Sequence, residues 1–145
     1  QAPVIHDITT DTQNPPAFAA LREAREAAPN EVDYPGEATA EQQQAAYPNV
    51  RPLVVDAPAA TVLAAVQAEV EAAGWNIAEI TPTGLEATAV TRWFGFEDDV
   101  VIRLTEQGNR TRVDMRSASR LGASDVGTNA QRIETFMSAL RERLE

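Results

Sequence analysis

A chain of 145 residues with 43% hydrophobic content is long enough for one domain with its own core, and it needs no disulfide or metal to hold together. It has no cysteine, no lysine and a single histidine, which excludes disulfides, thiolate metal sites, Schiff-base lysines, phosphate-loop lysines and multi-histidine metal centres. A formal charge of −10 opposes binding to nucleic acid or to an anionic membrane surface.

Residues 1–52 differ from the rest. Seven of the nine prolines fall there (Pro3, Pro15, Pro16, Pro29, Pro35, Pro48 and Pro52), and aliphatic residues are sparse. One short helix is expected after Pro15-Pro16, with Phe18, Leu21 and Ala24 at helical spacing. A second, polar one spans Ala38 to Ala46, and Asp33-Tyr34-Pro35-Gly36 between them signals a turn. Phe18, Tyr34 and Tyr47 supply anchors, so the segment reads as an arm wrapped on a core rather than a disordered tail.

Residues 53–145 form the regular core. Leu53-Val54-Val55 is a short strand, Asp56 is a candidate N-cap, and a helix running to Ala73 places Val62, Val66, Val70 and Ala73 on one stripe. Four strands follow: Trp75 to Thr81, Leu85 to Thr91, Asp98 to Glu106 and Arg110 to Ser119, joined at Pro82-Thr83-Gly84, at the aromatic Arg92–Phe96 connection and at Gln107-Gly108-Asn109. A last helix runs from about Ser124 to the end, capped by Ser124 or Asp125, with Val126, Ile133, Phe136, Met137, Leu140 and Leu144 inward. The order β-α-β-β-β-β-α predicts an α+β fold: an antiparallel meander of four to five strands, two helices on one face, and the arm against the rest. This order resembles the TATA-binding-protein-like and helix-grip folds in topology.

Strand alternation sorts the side chains. Leu85, Ala87, Ala89, Val100, Ile102, Leu104, Val113 and Met115 share the face expected to meet the helices. The opposite face presents Glu86, Asp99, Arg103, Asp114 and Arg116, with Arg92, Arg110, Arg112 and Arg120 on the same side. Either this is a solvated face of cross-strand ion pairs, or the arm covers it and creates a polar cleft.

The densest polar stretch is Arg116 to Ile133. Arg116 and Arg120 offer planar forks suited to a carboxylate or phosphate, and the following helix start attracts anions. The same residues serve equally as an internal lattice, with Asp125 pairing Arg116 or Arg120, and Asn129 and Arg132 tying the helix to the arm. His6-Asp7-Ile8-Thr9-Thr10-Asp11-Thr12 could supply oxygen ligands or an acid–base group, with His6 and Asp11 as its best candidates, or could simply be a polar extended arm. Asp98 and Asp99 point to opposite faces and cannot act as a dyad, while Trp93 and Phe96 either line a pocket or pack. No G-x-S-x-G, H-E-x-x-H, G-x-G-x-x-G or phosphate-loop pattern occurs, and no cofactor or metal is called for. No apolar run approaches the roughly 18 residues of a membrane span.

Several segments carry a family resemblance: His6 to Asp11, Asn14 to Phe18, Tyr34-Pro35-Gly36, Gln43 to Pro48, Gly74-Trp75, Glu86-Ala87, Trp93 to Arg103 and Asp114 to Ile133. Together they resemble the bacterial family called domain of unknown function 1499 over essentially the whole chain. The Trp-Phe-Gly-Phe and Arg-Ser-x-Ser-Arg motifs are the most specific. The resemblance implies an exported or membrane-tethered origin, which also suits a chain that begins with Gln1, and it implies no established activity.

Three functional expectations follow. The first is a non-enzymatic envelope domain binding a small anionic or amphipathic ligand or a protein partner, with Arg103, Arg116, Arg120 and Asp125 at the ligand beside His6 and Asp11, and Trp93 and Phe96 lining the pocket. The second is a hydrolase or isomerase using His6 or an Asp with arginine support for an oxyanion. The third is a scaffold whose polar network is a salt-bridge lattice.

Overall fold

A computed structural model describes residues 5–91, 95–122 and 127–145. Its elements in chain order are β1 (Asp7–Thr9), α1 (Arg22–Glu26), α2 (Glu37–Ala46), β2 (Leu53–Val55), α3 (Ala59–Ala73), β3 (Asn76–Thr81), β4 (Gly84–Val90), β5 (Glu97–Gln107), β6 (Arg110–Ser119) and α4 (Thr128–Leu144). The fold is α+β, with the expected order of strands and helices in the core. β3, β4, β5 and β6 pair in succession as an antiparallel meander.

The sheet has six strands because the arm supplies one. β6 is long enough to be paired along its outer edge by two short strands in succession. β2 takes Thr111 to Val113, and β1 takes Arg116 to Ala118. β1 is too short, and too polar in sequence, to show its alternation. Yet it places Ile8 on the helix side of the sheet and Asp7 and Thr9 on the arm side, all three buried.

α3 and α4 cover one face. Val62, Val66 and Val70 meet Ile133, Phe136 and Leu140 over Leu85, Ala87, Val100, Ile102, Val113 and Met115 in one continuous core. Each of these valine, leucine, isoleucine, phenylalanine and methionine side chains contributes about 1.5–3 kcal/mol by leaving water. Trp75 stacks on Phe136 with ring centroids 5.4 Å apart. Gly74 ends α3 in the left-handed conformation, at φ 77°. Two local expectations are corrected. Ala73 is exposed, because the end of its stripe faces an open groove beside Trp75 and Phe136 rather than the core. Asp56 does not cap α3, which starts after Pro58; its carboxylate instead meets Arg110 at 3.0 Å. The capping by Ser124 or Asp125 and the packing of Val126 lie outside the described residues.

The arm lies across the opposite face. Phe18 and Leu21 form a second, small core with Val101 and Ala118. The inward stripe of the first arm helix continues through Arg25 rather than Ala24, and Arg25 is fully buried.

Candidate functional site

The middle of the polar face of the sheet is buried. Asp99, Asp114 and Arg116 are at most 2% exposed, so the arm has turned a potentially solvated face into an interior. Buried charges must be paired and hydrogen-bonded to remain charged there. Three ion-pair groups among the described residues meet that requirement.

Arg116 of β6 forms the first. Its Nε and Nη2 donate to both oxygens of Asp7 at 2.9 and 2.8 Å, Nη1 donates to the Pro16 carbonyl, and Nη2 also donates to the Val32 carbonyl. The guanidinium lies 4.7 Å from the Phe18 ring centroid and 5.9 Å from that of Tyr34. One side chain thus ties β1, the Pro16 turn and the Val32 segment to the sheet. Burial pushes the Tyr34 phenol up to about 12, Asp7 adds to the shift, and Arg116 opposes it.

Asp99 of β5 organises the second. It accepts from Arg25 Nη1 at 3.1 Å, from Arg120 Nε and Nη2 at 2.8 and 2.9 Å, and from the Thr88 hydroxyl at 2.9 Å. Arg25 also donates to the Ala118 and Glu31 carbonyls and sits over Phe18. The bidentate bond to Asp99 holds Arg120 still more firmly in its charged form.

Asp114 of β6 anchors the third. It accepts from Thr10 Oγ1 at 2.7 Å and from Arg112 Nε at 2.8 Å, and it lies 3.5 Å from Arg103. Asp11 bridges Arg103 at 3.2 Å and Arg112 at 3.6 Å. The hydrogen bond that Arg112 donates to Asp114 raises the Arg112 pKa.

Two neutral contacts complete the arm's attachment. The Gln43 side-chain amide accepts from Thr9 N–H at 3.0 Å and donates to the Thr9 carbonyl at 2.8 Å, as a neighbouring strand would. Glu86 accepts the backbone N–H groups of Ala19, Ala20 and Leu21, capping the turn that leads into α1.

A second polar cluster lies on the helix side of the sheet. Ser117 donates to Asn129 at 2.6 Å, Asn129 donates to Ser119, and Arg132 joins Asp98, Ser117 and Asn129. This fastens the first turns of α4 to β5 and β6. Asn129 also approaches the His6 carbonyl at 3.5 Å, so the helix does reach the arm.

The predicted residues are therefore brought together unequally. Arg103 and Asp11 meet, while Arg116 and Arg120 belong to two separate carboxylate groups. His6 joins none of these ion pairs. Its carbonyl accepts from Ser119 N–H in the sheet, while its Nδ1 is buried without a hydrogen-bond partner among the described residues. Phe96 is half exposed at the end of the sheet where β5 begins. Trp93 and Asp125 lie outside the described residues. Among the described residues, no three His, Cys, Asp or Glu side chains gather to hold a metal ion, and no helix is long and apolar enough to cross a membrane.

The sequence reading missed Arg25, Asp7 and Gln43 as partners. For Arg25 a signal existed, since Phe18, Leu21 and Arg25 stand at i, i+3 and i+7, so an arginine occupies a position on the inward stripe. For Asp7 and Gln43 no local pattern existed.

These features define an α+β domain whose N-terminal arm is riveted to one face of an antiparallel sheet by arginine–carboxylate pairs. The chain belongs to the family described as "Protein of unknown function (DUF1499)", whose model matches residues 7–140. No curated protein matches it. Among solved structures it is similar to CalU16 from Micromonospora echinospora at 18% identity, over 63% of this chain and 80% of that one, with a TM-score of 0.44.

Proposed function

We propose that this chain is a non-enzymatic domain of the cell envelope that binds a protein partner, and that its arginine–carboxylate lattice is an internal fastening rather than a ligand site. The observation that carries this reading is the engagement of Arg116: four of its five N–H groups already meet both oxygens of Asp7 and the carbonyls of Pro16 and Val32. An incoming anion would have to displace a carboxylate already bound in bidentate geometry. Of the acid–base candidates, Asp11 is engaged through its side chain, which bridges two arginines, whereas His6 is engaged through its backbone and its Nδ1 is buried away from these carboxylates. The envelope placement rests on the family resemblance to exported or tethered proteins.

Native mass spectrometry of freshly purified protein tests the reading. The expected result is the polypeptide mass alone, with protein adducts recovered after cross-linking in the native cell. A stoichiometric small anion that disappears in Arg103→Ala would overturn it, as would a turnover abolished by His6→Ala.

A further inference from the structure

The two outer edges of the sheet are treated differently. At one edge, the backbone of β1 is capped by the amide of Gln43. At the other, β3 has β4 as its one strand partner among the described residues. An uncovered edge offers a row of backbone donors and acceptors to another extended chain.

A hollow lies beside β3 on each face of the sheet. On the arm side, a hollow of about 200 Å³ is bounded by Glu79, Thr81, Glu86 and Arg103 together with Pro16 and Ala19. On the helix side, a hollow of about 520 Å³ is bounded by Ile80 and Pro82, by Ala59, Ala60 and Leu63 of α3, and by Glu106. Neighbouring residues of an added strand point to opposite faces, so one would enter each hollow.

The charge around the edge selects the occupant. Glu79 stands directly opposite Glu86 in the β3–β4 register, an arrangement of like charges that disfavours itself. Glu86 is compensated by three backbone N–H groups, whereas Glu79 has no ion-pair partner among the described residues. A second copy of this chain would bring another Glu79 and another −10 of charge to the same edge. A basic strand would relieve the repulsion.

We infer that the exposed edge of β3 is a docking site for an extended, basic segment of a partner protein, which adds to the sheet as a further strand. A basic residue of that segment faces Glu79 and Glu86, and an adjacent apolar residue enters the hollow between Ile80 and α3. The inference rests on the partner-binding reading above and names the surface and the kind of partner.

The test uses the full chain and a synthetic ten-residue peptide alternating arginine and valine, with a glutamate-for-arginine counterpart as control. Titration followed by nuclear magnetic resonance is expected to shift the amides of Asn76–Thr81 first and to slow their hydrogen exchange. The control is expected to have no effect, and Glu79→Arg and Ile80→Asp are each expected to weaken binding at least about tenfold, a loss of about 1.4 kcal/mol. Both substitutions change side chains in the exposed class, and each variant is expected to keep the parent's circular dichroism spectrum. Unperturbed β3 amides, equal affinity for Glu79→Arg, or self-association of the chain through β3 would each overturn the inference. Cross-links to a protein partner at another surface would overturn it while leaving the partner-binding reading intact. A co-purified small anion would overturn that reading instead.

Discussion

Arg25, from the shortest helix of the arm, donates to Asp99 of β5 at 3.1 Å, with both side chains sealed from solvent. Asp99 also holds Arg120, so removing the aspartate strands the buried Arg25 and leaves Arg120 with Glu97 alone among the described carboxylates, whereas removing Arg25 leaves the Asp99–Arg120 pair intact. Breaking a buried pair costs about 3–5 kcal/mol. Asp99→Ala is therefore expected to lower Tm by about 10 °C or more, with Arg25→Ala lowering it less, since each kcal/mol is worth roughly 2–4 °C in a domain near this size. Thermal denaturation followed by circular dichroism checks this. Losses typical of surface pairs, below about 1 kcal/mol, would show that the lattice does not hold the arm.

Arg116→Lys keeps the charge but cannot reproduce two parallel bonds to Asp7 together with bonds to two carbonyls. A cost of about 1.5–3 kcal/mol or more is expected. The arm should loosen before the core does, and limited trypsin digestion should then cut faster at Arg22 and Arg25. An unchanged cleavage rate would assign Arg116 no role in holding the arm.

Gln43 serves as a one-residue strand beside Thr9. Gln43→Glu keeps the acceptor but turns the donor into an oxygen facing the Thr9 carbonyl. The expected cost is about 1–3 kcal/mol, from an unsatisfied buried carbonyl and the repulsion against it. Amide exchange at Thr9 should accelerate while that at Val113 in β6 does not.

Tyr34 gives a pH dependence with a definite sign. Its folded pKa is raised from 10.0 to about 12, by burial first and by Asp7 second, against Arg116. Its contribution to stability is therefore fully present below pH 10 and is lost as pH rises from about 10 to about 12, where only the unfolded state ionises. In a Tyr47→Phe background, tyrosinate absorbance should titrate near 12 when folded and near 10 in urea. A folded midpoint near 10 would mean that the phenol is not shielded.

The core was legible because packing follows alternation. Val100, Ile102, Leu104, Val113 and Met115 sit at alternate positions along two strands, with charged or polar neighbours except at Val101, and each one is buried against the helices. Arg103, Arg116 and Arg120 were likewise assigned correctly to the opposite face. Their partners were not legible, because Asp7 lies 109 residues from Arg116 and Arg25 lies 74 from Asp99. Contacts at such separations leave no periodic trace. The sixth strand was missed for a related reason, since three residues containing Asp7 and Thr9 do not read as a buried strand until their neighbour in β6 is known.

What the sequence by itself determined was the order of elements, the sheet face that meets the helices, and the family, because strand and helix periods and the Trp-Phe-Gly-Phe and Arg-Ser-x-Ser-Arg motifs are local properties of the chain. Only the tertiary structure decided that the middle of the other face is buried. Whether an arginine such as Arg116 meets water or Asp7 depends on where a distant, non-periodic arm comes to rest. That resting place is set by the summed contacts of Phe18, Leu21, Arg25, Gln43 and Glu86.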